Sequence, residues 1–151
     1  MQEVSDVIGN YTGNARKVLE YSLIMKRLMD EAKQPGFTEE SWAPLAALVA
    51  VDEFERVGNF KEVVNWQEYT DFLTKWAVSS EWECSFKGIT EVNGRVFLEL
   101  EERSKVGASL SGVFSNVVNS LTVYEFNAAG RLRHLDIYLQ MPLPEGVPLP
   151  F

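Results

Sequence analysis

The sequence is poor in the residues on which much enzyme and metal chemistry depends. It contains one cysteine, Cys84, and one histidine, His134, among 151 residues. A single cysteine excludes an internal disulfide framework and fits a reducing compartment, so we expect a cytoplasmic protein. Only carboxylates remain as further metal ligands, and their spacing matches no calcium loop. We therefore expect neither a metal nor a cofactor.

Other absences limit the partners of the chain. No run of eighteen apolar residues occurs, and the opening MQEVSDVIGNYTGN is polar without a basic start, so we expect no membrane span and no signal peptide. Twenty-two acidic residues against fourteen basic ones give a net charge of -8, so nucleic acid is not an expected partner. The sequence also lacks a Ser/His/Asp order, a phosphate loop and a nucleotide motif, which excludes the common hydrolase, kinase and dehydrogenase mechanisms.

Three helix patterns are followed by strand patterns. Apolar residues at three- and four-residue intervals predict a helix over residues 14–33, and a second, shorter helix is predicted over residues 38–48 behind the N-cap Thr38. A third helix, over residues 65–78, begins at the N-cap Asn65 and carries an aromatic stripe. Residues 49–58 change to two-residue alternation and predict a first strand, with the boundary between helix and strand left open.

Two hairpins complete the predicted sheet. The first joins strands over residues 81–92 and 95–106 through Asn93-Gly94, the strongest short hairpin signal. The second joins strands over residues 117–127 and 131–140. Residues 107–116, rich in Gly and Ser, predict a mobile surface loop. The prolines of the tail, residues 141–151, exclude a further strand, and its apolar side chains either pack along the body or a second subunit or stay disordered.

The last hairpin mixes polar and apolar residues on both faces. If Phe126 lies opposite Arg131, one face carries Thr122, Tyr124, Leu135 and Ile137. The other face carries chiefly Glu125, His134, Asp136 and Tyr138. Apolar groups on both faces predict that both are covered, at least one of them by a cavity or an interface. A register shift of one residue would exchange the two faces.

The order of these elements resembles that of the NTF2-like superfamily, which includes ketosteroid isomerase and the SnoaL-like polyketide cyclases. The resemblance covers residues 15–140 and is carried by LAALVAVDEFERVG, NWQEYTDFLTKW and NSLTVYEFNAAGRLRHLDIYLQ. It implies an α+β, cone-shaped, cystatin-like fold, in which three N-terminal helices pack on a strongly curved, mainly antiparallel sheet around an apolar pocket. It also implies a homodimer formed through the outer face of the sheet.

The resemblance further implies positions for catalytic groups. Ketosteroid isomerases use a carboxylate on the first strand as a proton shuttle, which the match to DEFERVG places at Glu55. Burial in an apolar pocket would bring such a carboxyl toward the working range of a general acid or base. Their oxyanion-binding positions fall on Met25 and Thr122, which are poor replacements, although Tyr21 and Tyr124 could supply phenols nearby. We therefore predict Glu55, Tyr124 and Thr122 as catalytic residues.

Each of these assignments has an alternative. Glu55 could be an ordinary exposed acid, and the tyrosines could be core residues. His134 and Asp136 form a second candidate acid/base pair, although the predicted register puts them at the dimer contact. Glu102 is assigned, with its acidic neighbours, to the outer face. The predicted ligand-binding residues are Tyr21, Met25, Trp66, Tyr69, Phe86, Leu135 and Ile137.

Three functions remain open at this point. The first is an isomerase, cyclase or lyase that moves a proton on a small hydrophobic carbonyl compound. The second is a module that binds a small apolar ligand without chemistry. The third is a dimeric accessory domain whose pocket is filled by its own side chains.

Overall fold

The computed structural model describes residues 1–106, 116–143 and 146–151. Four α-helices lie in these residues, and none of them is long and apolar enough to cross a membrane. The helices are α1 Val4–Val7, α2 Gly13–Glu31, α3 Ala43–Ala46 and α4 Trp66–Val78, with 3-10 turns at Ile8–Asn10 and Glu39–Trp42. The strands are β1 Glu55–Val57, β2 Val63–Val64, β3 Ser80–Val92, β4 Arg95–Val106, β5 Asn116–Phe126 and β6 Leu132–Gln140.

The described strands form one sheet in the order β2-β1-β6-β5-β4-β3. Neighbouring strands are antiparallel except β1 and β6, which run parallel. In the chain, β1 and β6 are separated by β2, α4 and the strands β3, β4 and β5. The turn between β3 and β4 holds Asn93 and Gly94 at φ values of 52° and 75°, the positive values that a type I′ turn requires. The sequence therefore determines this hairpin locally.

One face of the sheet is covered by α2 and α4. Leu19 and Leu28 of α2 are fully buried against the inner-face residues Leu98 and Leu135. Helix α4 begins at Asn65, whose side chain accepts a hydrogen bond from the Glu68 backbone at 2.9 Å. The core thus lies between the helices and the concave side of the sheet.

The last hairpin has the predicted faces but not the predicted register. Tyr124 pairs with Leu135 and Thr122 pairs with Ile137, on the side of the helices. Phe126 lies opposite Leu132 rather than Arg131, a difference of one residue that arises at the turn, and the shift between Phe126 and Glu125 adds a second residue. Between residues 119 and 125 the observed register differs from the predicted one by two residues. An even shift leaves each side chain on its original face, because side chains alternate with a period of two.

The first strand is shorter than predicted. Residues 49–58 yield only Glu55–Val57, because a turn closed by the Glu53 amide and the Ala50 carbonyl at 3.1 Å interrupts the segment. The predicted helix over residues 38–48 divides into a 3-10 turn and α3. Helix α1 and strand β2 were not predicted at all.

The segments before and after the last hairpin are the predicted mobile loop and the proline-rich tail. Of the predicted mobile loop, residues 107–115 lie outside the described residues. In the tail, Leu143, Val147, Leu149 and Phe151 are 47, 48, 63 and 100% exposed. Phe151 therefore makes no packing contact with the body of the chain, whereas Leu143 and Val147 are about half covered.

Candidate functional site

A cavity of about 320 Å³ lies between α2, α4 and the inner face of the sheet. It opens to solvent beside Phe72 and Met141, which are 54% and 57% exposed. Its lining is mainly apolar and comprises Met25, Met29, Tyr69, Phe72, Leu73, Trp76, Trp82, Val118, Ile137, Leu139 and Met141, with Arg56, Glu102 and Ser104 as further polar members. Mainly apolar walls with a few polar groups are typical of ligand pockets.

Arg56 brings the positive charge into this cavity. It lies level with Leu135 on the neighbouring strand and turns toward the helices, where its Cζ is 4.9 Å from the centroid of the Tyr69 ring. This contact is a cation–π interaction. The Arg56 Nε is buried and has no hydrogen-bond partner among the described residues. Since an unsatisfied buried donor is costly, this N–H is a ready binding point for a ligand oxygen.

Glu102 brings the negative charge. It follows Leu98 and Leu100 on β4 at two-residue intervals, and both leucines are buried on the inner face. One Glu102 oxygen accepts a hydrogen bond from Trp82 Nε1 at 2.8 Å. The prediction that Glu102 belongs to the outer face is therefore wrong. Strict alternation from Leu98 contained the correct signal, which the run of acidic residues obscured.

Three phenols lie at and behind the cavity wall. The rings of Tyr21 and Tyr124 meet edge to face with centroids 5.9 Å apart, and Tyr69 donates to the Met25 sulfur at 3.9 Å. Burial raises the pKa of each phenol, and for Tyr21 the neighbouring Tyr69 and Tyr124 raise it further. The Tyr21 hydroxyl is buried without a hydrogen-bond partner in the described part of the chain. These tyrosines are therefore neutral donors.

Glu55 does not face the cavity. Its Oε1 lies 3.3 Å from His134 Nδ1, and His134 Nε2 lies 3.1 Å from Asp136 Oδ1. The Glu55 side chain is 51% exposed. Because β1 and β6 run parallel with Glu55 beside His134, both project from the outer face. The expectation that Glu55 lines the apolar pocket is therefore wrong.

The carboxylates of Glu55 and Asp136 contact opposite nitrogens of the His134 ring, so the ring lies between them. The three side chains therefore do not converge on a shared binding position. Only an imidazolium, which has two N–H groups, can donate to both carboxylates. Within the described ranges, no group of three or more His, Cys, Asp or Glu side chains could hold a metal ion.

The other predicted site residues divide into three groups. Met25, Tyr69 and Ile137 line the cavity. Tyr21, Tyr124 and Leu135 are buried core residues, and Thr122 lies on the inner face between its strand partners Leu98 and Ile137.

Trp66 and Phe86 pack away from the cavity. The Trp66 ring meets Phe54 at 5.2 Å, and Phe86 meets Tyr11 at 6.3 Å. Neither residue lines the cavity, so these two ligand-binding predictions are wrong. Trp66 is the first residue of α4, and Phe86 lies just before the register shift of β3. An apolar sequence pattern does not show which way a side chain points at a helix end or beside a register shift.

No family model and no curated protein matches this sequence. Solved structures do match. A candidate SnoaL-like polyketide cyclase from Shewanella putrefaciens CN-32 has a TM-score of 0.67 at 11% identity, over 92% of this chain and 88% of that one. An NTF2-like protein of unknown function from Cytophaga hutchinsonii has a TM-score of 0.56 at 11% identity, over 86% and 92% of the two chains.

An LEH-like epoxide hydrolase from M. tuberculosis has a TM-score of 0.53 at 14% identity, over 78% of this chain and 84% of that one. At such identities the likeness is one of fold. The chain has the NTF2-like fold, with helices packed on a curled six-stranded mixed sheet, and the resemblance predicted from its sequence is confirmed at this level.

Proposed function

We propose that this chain binds a small, largely apolar molecule in the cavity between α2, α4 and the sheet. The supporting observation is an apolar cavity of about 320 Å³ that also holds one buried arginine N–H without a hydrogen-bond partner among the residues that the structure describes. An engineered apolar cavity of roughly 150 Å³ takes up benzene, so about twice that volume suits a two-ring molecule. The experiment uses 2-naphthol as the probe.

The methionines offer a direct readout of binding. The chain has four methionines. Three of them, Met25, Met29 and Met141, line the cavity, whereas Met1 lies outside it and is 79% exposed. In protein labelled with ¹³C at the methionine methyl groups, 2-naphthol is expected to shift the three cavity signals and to leave Met1 unchanged.

Two adjacent residues provide the matched variants. Leu139 lines the cavity, and its neighbour Tyr138 projects outward and is 56% exposed. Leu139→Trp should fill the cavity and abolish the shifts, whereas Tyr138→Trp should preserve them. If the probe leaves the cavity methyls unshifted, or if both variants bind as the wild type does, the binding proposal fails.

A second candidate function is proton transfer on a bound carbonyl compound, as an isomerase, cyclase or lyase. It is favoured by the Glu102 carboxylate in the cavity wall, which can accept a proton, and by Arg56 and Tyr69, which can stabilise a developing oxyanion. The candidate cyclase and the epoxide hydrolase among the similar structures support an enzyme of this kind without indicating a substrate.

This chemistry is testable without knowing the substrate. The two-ring ketone 2-tetralone exchanges its α-hydrogens with D₂O, and the protein is expected to accelerate the exchange. Glu102→Gln should slow it on the order of 100-fold or more, because a positioned general base contributes that much. The neighbouring Glu101 pairs with Arg103 at 3.1 Å, so Glu101→Gln is the control. Equal loss of exchange rate in both variants, or no acceleration by the wild type, would contradict the catalytic proposal and leave the binding proposal intact.

We also propose that two copies of the chain pair through the outer face of the sheet. Tyr138 and Val117 are 56% and 48% exposed there, and Leu121 lies opposite Tyr138. The ion pair of Arg95 with Glu125 at 3.1 Å lies on the same face. Apolar groups with polar groups around them are typical of protein interfaces.

The single cysteine supports a reducing compartment, for which we propose the cytoplasm. Cys84 is half-buried, and burial raises the pKa of its thiol to about 11. The thiol is therefore protonated and poorly nucleophilic at neutral pH. Cell fractionation tests the compartment, and recovery of the protein chiefly outside the cytoplasm would contradict it.

A further inference from the structure

We infer that the cavity selects an amphipathic ligand with two different polar ends: an anionic oxygen that meets Arg56 and a hydrogen-bond donor that meets Glu102. This inference rests on the proposed binding function and names the class of ligand. It takes the two charged residues of the cavity as a recognition pair for one molecule.

Arg56 and Glu102 share one cavity but do not neutralise each other. The ion pairs among the described residues include neither of them, and Glu102 accepts its hydrogen bond from Trp82. Strands β6 and β5 separate β1 from β4, so three strand spacings, roughly 14 Å, lie between the backbones of the two residues across the strands. The register places Arg56 level with Val96, six residues before Glu102, which adds roughly 20 Å measured along the strand. The fold therefore places a cation and an anion on separate walls of an apolar space.

Each charge requires a different partner from a ligand. Arginine stays protonated and offers only donors, and its planar guanidinium matches a carboxylate. Its buried Nε lacks an acceptor in the described part of the chain, so a ligand oxygen would satisfy it. An ionised Glu102 offers only acceptors. Since Trp82 occupies one of its oxygens, a ligand hydroxyl or amine is the natural second donor.

The wall between these charges is apolar. Met25, Met29, Ile137 and Leu139 contribute to it, and they would contact the hydrocarbon body of the ligand. A purely apolar molecule would leave the Arg56 Nε unsatisfied and the Glu102 carboxylate desolvated without a new partner. A site with buried polar groups rejects ligands that fail to pair them, so these two residues would set specificity.

Four two-ring compounds separate the contributions: naphthalene, 2-naphthol, 2-naphthoate and 6-hydroxy-2-naphthoate. They carry respectively no polar end, a donor, an anion and both. Measured by calorimetry on the full chain, 6-hydroxy-2-naphthoate should bind tightest and naphthalene weakest. Each matched end should strengthen binding on the order of tenfold or more, as hydrogen bonds to charged groups do.

Variants assign each end to its residue. Arg56→Met should weaken the two acids about tenfold or more and leave 2-naphthol nearly unchanged. Glu102→Gln should weaken the two hydroxyl compounds relative to those without the hydroxyl. Arg95, which pairs with Glu125 on the outer face, provides the control Arg95→Met. If Arg56→Met does not fold, Arg56→Lys replaces it in the experiment. Lysine keeps the positive charge but lacks the planar guanidinium that pairs with a carboxylate, so the preference for the two acids should decrease.

The outcomes separate this inference from the function on which it rests. Binding of all four compounds with equal affinity would overturn two-ended selection and leave the apolar binding site standing. Equal effects of Arg56→Met and Arg95→Met would overturn the assignment to Arg56. If none of the four compounds binds and the methionine methyls do not shift, the proposed binding function itself fails.

Discussion

Glu55 and Arg56 are consecutive on β1 and project to opposite faces of the sheet. Glu55 meets His134 at 3.3 Å on the outer face, while Arg56 lies over the Tyr69 ring inside the cavity, 4.9 Å from its centroid. The cavity thus receives a cation from β1, and its carboxylate comes from Glu102 on β4. The phase of a three-residue strand decides which of these two charges reaches the cavity.

Tyr21→Phe is expected to stabilise the free protein. The Tyr21 hydroxyl is buried and has no partner among the described residues, and leaving such a group unsatisfied costs about 1–3 kcal/mol. Urea unfolding should therefore give an unfolding free energy higher by about 1 kcal/mol. Tyr69→Phe is the matched variant, because its hydroxyl contacts the Met25 sulfur. A loss of stability in Tyr21→Phe as large as that in Tyr69→Phe would show that the Tyr21 hydroxyl is satisfied.

Stability should fall in alkaline solution because of the buried phenols. Burial raises the pKa of Tyr124 above that of an unfolded tyrosine, which is about 10. Between the two values the unfolded state holds fewer protons than the folded state, so the unfolding free energy decreases as pH rises above about 10. The slope per phenol reaches about 1.4 kcal/mol per pH unit.

Tyr124→Phe should therefore flatten this alkaline decline, measured as urea unfolding at pH 8 to 11. The exposed Tyr138 gives the control Tyr138→Phe, which should keep the slope of the wild type. An unchanged slope in Tyr124→Phe would contradict the assignment.

The ion pairs of His134 should contribute little to stability. Glu55, His134 and Asp136 keep 51, 18 and 25% of their side-chain surface exposed. Asp136→Asn is expected to lower the unfolding free energy by less than about 1 kcal/mol, with a smaller effect in 1 M salt. The adjacent Leu135 points into the core and is 2% exposed, so Leu135→Ala should cost about 2–5 kcal/mol. Similar losses in the two variants would contradict this division of faces.

The proposed homodimer predicts a mutation that separates it. Tyr138→Glu would place a carboxylate in the middle of the outer face, close to Asp136, and should shift the protein toward the monomer. Sedimentation at micromolar concentrations measures this shift. Val78, at the end of α4 and 64% exposed, gives the control Val78→Glu. A wild type that is monomeric throughout, or equal dissociation in both variants, would exclude this interface.

The sequence predicted those elements whose signals are local. Helix α4 follows its N-cap Asn65, and the long first hairpin follows the turn at Asn93 and Gly94. The predicted first strand is too long because its two-residue alternation continues through a turn at Ala50, whose amide donates to the Leu132 carbonyl of β6 at 2.8 Å. The predicted hairpin register is wrong by two residues, one from the turn that pairs Phe126 with Leu132 and one from the shift at Glu125, and neither has a signature in the pattern.

By itself, the sequence determined the two long helices α2 and α4, both hairpins, the general fold and the inner and outer faces of the last hairpin, because capping, turn chemistry and two-residue alternation act over short distances. The tertiary structure alone decided which charged groups line the cavity. Arg56 and Glu102 are 46 positions apart in the chain, and only the strand order and the phase of β1 bring both to one apolar space. Contacts over such separations depend on packing that no local pattern encodes.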